Sequence, residues 1–364
     1  MEIDCYKRLA RHLDSLPGGF PPSESGVELR LLRRLFTPEE AELAVHLTLE
    51  REEAHVIAER VEIDVPEVEQ RLNKMAHKGL IFSIELEDGQ ALYHAAPWIF
   101  GIYEFQVNRL DKDFVQDFNE YGPIKGKDPR QQKIIPQIRT IPVGRSIEPS
   151  LEVLPYERAG ELVKAQEKFA VAPCICRRRT EIMGAGCDAP KEGCLMFGDW
   201  ADYYVRNGLG RYIDSTAVMD ILARADEANL VLQPSNSRVA SFMCTCCGCC
   251  CSLLTRLKHH PRPSEVVSSP FIAKAEPETC EGCGTCADRC QMDAVMLENQ
   301  KVFLDAARCI GCGLCVSSCP TGSLTLARKP SSQQQKVPIN MDATWREIGL
   351  TWSKLGPEEG GRII

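Results

Sequence analysis

Between Cys280 and Pro320 the chain carries the same cysteine spacing twice, CEGCGTCADRC and CIGCGLCVSSCP, each C-x2-C-x2-C-x3-C. The second copy begins twenty-nine residues after the first, and eighteen residues, Gln291 to Arg308, join them. An internal repeat of this kind constrains the fold more than any local propensity, because eight sulfurs have to converge within one short segment. Gly282, Gly284, Gly311 and Gly313 stand between the cysteines, where a tightly curling chain needs positive φ and close backbone approach. Val295 to Leu297 and Val302 to Leu304 flank the polar turn Glu298-Asn299-Gln300-Lys301, which predicts a hairpin between the halves.

Soft thiolates in this number suit iron clusters, four sulfurs to each cubane. Zinc favours two separated C-x2-C knuckles closing one tetrahedral site, and two tight runs of four do not match it. With these motifs in place, residues 276 to 328 resemble a two-cluster [4Fe-4S] ferredoxin of the bacterial type. The resemblance implies that the fourth cysteine of each run serves the other cluster. One cluster would then take Cys280, Cys283, Cys286 and Cys319, and the other Cys309, Cys312, Cys315 and Cys290. The chain departs from the family at Gln291, where proline usually follows the fourth cysteine, whereas Pro320 keeps it. A changed local turn is expected there, with no ligand lost.

Of the nineteen cysteines, ten more lie between Pro173 and Cys251: Cys174, Cys176, Cys187, Cys194, Cys244, Cys246, Cys247, Cys249, Cys250 and Cys251. A helix predicted over Ser215 to Ala228, capped by Asp214 or Ser215 and carrying Val218, Ile221, Leu222 and Ala225 on one side, separates the early ones from the late ones, so a folded element must bring them together. An additional [4Fe-4S] cluster held by a subset of them is the preferred expectation on ligand softness. Zinc is the first alternative and thiol chemistry beside Arg177, Arg178 and Arg179 the second. The arginine run is either a solvated charge run or a counter-charge for a cluster. The region is also similar to cysteine-rich segments that accompany ferredoxin modules in anaerobic bacteria, a similarity that implies no reaction. Cys5 stands alone and reads as a small hydrophobe.

The rest of the chain sets the frame. Helices are predicted over Cys5 to Leu16, over VELRLLRRLF, from Thr37-Pro38, over Glu52 to Arg60, and from Asp64 to Lys78, with a hairpin turning at Glu87-Asp88-Gly89-Gln90. Residues 27–95 resemble a winged-helix domain with Pro66 to Lys78 in the recognition-helix position. Residues 38–78 nevertheless hold eleven Asp and Glu against five Lys and Arg, the wrong sign for phosphate. A helix is expected through Trp98 to Tyr121, then an extended proline-rich connector over 122–150, and a C-terminal amphipathic helix over Asp342 to Leu355 carrying Trp345, Ile348 and Trp352.

The fold expected is α+β in four parts. A winged-helix-like domain with flanking helices occupies 1–121, a connector and cysteine-rich α+β domain 122–265, the 2[4Fe-4S] ferredoxin module 266–328, and a linker with the terminal helix 329–364. A net charge of -8 disfavours non-specific nucleic-acid binding. No apolar run reaches membrane-spanning length and the first residues lack an apolar signal core, so a reducing cytoplasm, in an anaerobe, is expected. No dinucleotide fingerprint, P-loop or H-E-x-x-H is present. These features favour an electron-transfer component that relays single electrons between redox partner proteins, such as an oxidoreductase or flavoprotein. A redox-responsive DNA-binding regulator and a reductase working at the middle cysteines are the alternatives.

Overall fold

Capping residues start the helices of the N-terminal part, and apolar spacing decides which face is buried. The computed structural model describes residues 4–355, of which 4–135, 202–209 and 342–355 form one packed unit and 136–201 with 210–341 a second. In the first, α1 (Cys5–Ser15) begins at Asp4, whose carboxylate accepts the Tyr6 N–H, and Cys5 is half-buried on it. It is followed by α2 (Val27–Leu35) and α3 (Pro38–Ala44), the latter opened by a reciprocal Thr37/Glu40 capping box with Pro38 in its first turn. The short β1 (Glu52–Glu53) leads into α4 (Ala54–Val61) and α5 (Val65–His77), which buries Val68, Leu72 and Met75 and ends before Gly79 at φ 73°. β2 (Ile81–Glu85) and β3 (Ala91–Ala95) pair antiparallel with Ile81 opposite Ala95, and the sheet order is β1-β3-β2.

The helix expected across Trp98 to Tyr121 is broken. Phe100 takes φ 57° and Gly101 an extended conformation, so a tight turn at Trp98–Ile102 buries both Trp98 and Phe105. A separate helix, α6 (Lys112–Gly126), starts where Asp111 accepts the Phe114 N–H. Tyr103 stacks on Phe118 with centroids 3.7 Å apart, so the aromatic stripe is core. Because α6 runs on through Pro123, the connector is helical at its beginning, contrary to the extended reading from residue 122.

In the second unit, α7 (Ala159–Lys164), β4 (Phe169–Pro173), α8 (Ile175–Ile182), β5 (Glu192–Phe197), α9 (Asp199–Arg206), β6 (Arg211–Ile213), α10 (Ser215–Glu227), β7 (Val231–Pro234) and β8 (Phe242–Cys246) follow one another. The strands form an antiparallel sheet ordered β6-β4-β5-β8-β7. Only the first residues of α9 belong to this unit. α10 is capped by Asp214 and buries Val218, Ile221, Leu222 and Ala225, the face its spacing predicted. The connector's isoleucines have a use: Ile138 and Ile141 bridge to Ser235 and Leu232 and cover the β7 edge, which would otherwise present unpaired backbone.

α11 (Ser252–His259) and α12 (Pro263–Val266) lead to β9 (Phe271–Ala275), α13 (Thr285–Arg289), β10 (Val295–Glu298), β11 (Lys301–Leu304) and β12 (Leu324–Arg328). β12 pairs with β9, and β10 with β11 through Asn299 and Gln300 at φ 49° and 62°, the left-handed pair a two-residue hairpin demands. The last helix, α14 (Met341–Leu355), belongs from residue 342 to the first unit. Trp345, Ile348 and Trp352 are buried there, and Trp352 Nε1 donates to the Asp14 carbonyl, so this face packs on the chain itself. Among the described residues no helix is long and apolar enough to cross a membrane.

Candidate metal centre

The eight cysteines of the repeat line two separate cavities. One, partly open to solvent, is bounded by Cys280, Cys283, Cys286 and Cys319 together with Leu297, Val302 and Leu324. The other is bounded by Cys290, Cys309, Cys312 and Cys315 with Ala273, Val295, Leu304 and Ile310. Each cavity therefore draws three cysteines from one run and one from the other. Gly282, Gly284, Gly311 and Gly313 all have positive φ, between 70° and 80°. At Gly311 a Cβ would come within 2.3 Å of the Phe271 carbonyl oxygen, so no other residue fits that turn.

Backbone N–H groups face the sulfurs: Ala273 donates to Cys309 Sγ at 3.3 Å, Ala294 to Cys290 Sγ at 3.2 Å and Gly282 to Cys280 Sγ at 3.4 Å. Burial pushes the Cys309 thiol up and the Cys312 thiol up to about 12, and drives Cys315 well above its ordinary value. Thiolates at these positions require a compensating cation, which the iron of a cluster provides. Four sulfurs, an apolar lining and inward N–H donors fit a [4Fe-4S] group in either cavity.

The ten middle cysteines divide into two sets. Cys194 lies directly across from Cys244 on β5 and β8, and Cys246 shares the Cys244 face two residues on. Cys251 at the start of α11, Cys176 in the first turn of α8 and Cys174 at its cap follow as successive thiol neighbours of Cys246. Hydrogen bonds from their thiol neighbours hold Cys176 and Cys244 well below the usual thiol range. Gln233, fully buried and opposite Cys244, has no hydrogen-bond partner at either end of its amide.

The second set is Cys187, Cys247, Cys249 and Cys250, whose sulfurs all lie within 4.8 Å of one another. Sequence neighbours thus part company: Cys246 joins one set and Cys247 the other, as do Cys251 and Cys250. The arginine run explains how the turn is held. Arg177 is 5% exposed and donates to the carbonyls of Thr245 and Pro190, and Arg179 to Ser252 Oγ and the Cys250 carbonyl. Neither side chain is a solvated surface charge.

Gln291, the departure from the ferredoxin pattern, has its own partner. Its Oε1 accepts the Gly248 N–H at 2.6 Å and ties the cysteine turn to the residue after Cys290. A Cβ at Gly248 would sit 2.8 Å from both Gln291 oxygens. Replacing Gln291 by alanine leaves a buried N–H unpaired and is expected to cost about 1–3 kcal/mol, seen as a lower midpoint in denaturant unfolding at unchanged slope.

Compared with known families, residues 279–323 match the 4Fe-4S dicluster domain. Neither a curated protein nor a solved structure matches the chain. The matched segment makes this part of the chain an iron-sulfur, ferredoxin-type module, and with the gathered cysteines it points to electron transfer.

Proposed function

We propose that the protein relays single electrons between redox partner proteins, using two [4Fe-4S] clusters in the repeat and a third in the cysteine-rich domain. The observation that carries this reading is the pair of cysteine-lined cavities, each completed by the fourth cysteine of the opposite run. Cys280, Cys283, Cys286 and Cys319 would hold one cluster, and Cys290, Cys309, Cys312 and Cys315 the other. Ligands for the third come from Cys174, Cys176, Cys194, Cys244, Cys246 and Cys251, with the unpartnered Gln233 amide on the face of Cys244 as a donor to sulfur. Such groups supply a one-electron couple at low potential. The chain sets that potential by backbone N–H bonds, burial and nearby charge. Met296 and Phe303, opposite one another on the β10–β11 hairpin and both exposed, offer an apolar contact for a partner beside the first cavity.

The first unit serves as a docking module of winged-helix type. The sheet order β1-β3-β2 and the pair α4–α5 support that topology. Its candidate DNA-reading helix is poorly charged for the task, because Arg71 pairs with Glu67 and Lys78 with Glu40 inside the unit. A protein partner suits it better than DNA.

The test is anaerobic preparation of the full chain with iron and acid-labile sulfide counting and low-temperature electron paramagnetic resonance after reduction. Equal iron and sulfide sufficient for three cubanes, with the signals of reduced [4Fe-4S] clusters, is the expected result. Zinc in place of iron in the repeat, with no such signal, overturns the reading.

A further inference from the structure

The Cys187, Cys247, Cys249 and Cys250 sulfurs are too close together for a cubane. Cys187 Sγ is 3.9 Å from Cys247 Sγ and 3.5 Å from Cys250 Sγ, and Cys249 Sγ is 3.7 Å from Cys250 Sγ. A tetrahedral zinc ion with Zn–S bonds of about 2.3 Å separates its sulfurs by about 3.8 Å, which those three separations match, and all four sulfurs lie within 4.8 Å of one another. A cubane places four irons between its thiolates and spreads them around a cavity, as the two ferredoxin quartets are spread around theirs. Among the described residues, only this set of His, Cys, Asp or Glu side chains draws into a mutual group of three or more at 4.8 Å.

The surroundings fit a closed structural site. Three of the ligands come from one tight turn, in which the Cys251 N–H donates to the Cys247 carbonyl at 3.2 Å before α11 begins. The fourth, Cys187, comes from the exposed loop after α8, which leaves the helix through Gly184 at φ 78°. That loop has little apolar burial to fix it, and Cys187 would be pinned to a turn 60 residues away in sequence. The Arg177 guanidinium reaches the Cys247 thiol and offsets part of the negative charge of four thiolates.

We infer that Cys187, Cys247, Cys249 and Cys250 form a mononuclear tetrathiolate site for a zinc-class divalent cation, distinct from the iron-sulfur centres. The ion staples the loop at Cys187 to the turn that carries the cysteines of β8 and α11. It adds to the electron-transfer reading without resting on it, since its metal is redox-inert and its ligands are not shared with the three proposed clusters.

The experiment measures zinc and iron together in the full chain, prepared anaerobically, in the native sequence and in a Cys187→Ser/Cys249→Ser double variant. One zinc per chain in the native protein, lost in the double variant while iron and sulfide are unchanged, is the expected result. Cobalt(II) supplied in place of zinc should give the ligand-field bands of a tetrahedral tetrathiolate in the native protein only. Iron and sulfide that fall in the double variant, with no zinc in the native protein, would show a cluster at the tetrad and overturn the inference. Cobalt bands that persist in the double variant would overturn it by placing the ion among the other six thiols. Should the double variant not fold, thiol alkylation of the native protein decides. Cys187 and Cys249 are exposed as residues, yet they should label only after a strong zinc chelator is added. Labelling at full rate without chelator sinks the proposal. Failure of the cluster reading would appear separately, as missing iron in the repeat.

Discussion

Replacing Cys290 by serine is expected to remove the cluster from the cavity lined by Cys290, Cys309, Cys312 and Cys315, and with it about half the iron of the ferredoxin-type segment. Cys309→Ser should lose the same half, although the two residues belong to different cysteine runs. The double variant Cys290→Ser/Cys309→Ser should then lose no more iron than either single one. Were each run to hold its own cluster, the double variant would lose nearly all of it. Iron and sulfide analysis of the three proteins, with the amplitude of the reduced cubane signal, separates the two arrangements. Serine preserves shape and removes the soft thiolate, so the comparison reads ligation and not packing.

The second large effect concerns Asp226, at the end of α10. Its side chain is 7% exposed and holds the Arg289 guanidinium at 2.6 Å, with Ser317 Oγ at 3.1 Å on the same oxygen. Arg289 sits between Cys286, which lines the first cavity, and Cys290, which lines the second. Asp226→Ala takes the counter-charge from that buried guanidinium, leaving it only neutral acceptors such as the Leu314 carbonyl and Ser317 Oγ, and breaking a buried pair in this way costs about 3–5 kcal/mol. A large drop in the denaturation midpoint is expected, together with faster loss of iron under a chelator. Arg145 also pairs with Asp226, but its side chain is 61% exposed, so Arg145→Ala should cost under about 1 kcal/mol. Equal losses in the two variants would mean that the Arg289 pair does not carry the stability assigned to it.

Neither residue stands out in the sequence. Asp226 reads as one more polar position near a helix end, and Gln291 as a minor departure from a motif, because both act through partners 63 and 43 residues away. The local elements were more legible. The Thr37-Pro38 start, the Asp214 cap, the buried face of α10 and the Asn299-Gln300 turn follow from interactions within a few residues. The helix expected over Trp98 to Tyr121 was misread for a physical reason. Aromatic residues at helical spacing bury as well on either side of a sharp turn, and only the left-handed Phe100 separates the two cases.

The spacing of cysteines alone determined that the chain carries an iron-sulfur module, because three ligands each separated by two residues can reach a common centre whatever surrounds them. The apolar runs on either side of Glu298 to Lys301 likewise placed the hairpin between the two cysteine runs. Tertiary structure decided the fate of the other ten. Cys246 and Cys247 are adjacent, yet the pleat of β8 carries one onto the face shared with Cys194 and Cys244 while the end of the strand releases the other into the turn that meets Cys187. Alternation of side chains at a strand end sorts those thiols, and that geometry exists only once β5, β8 and α11 are packed.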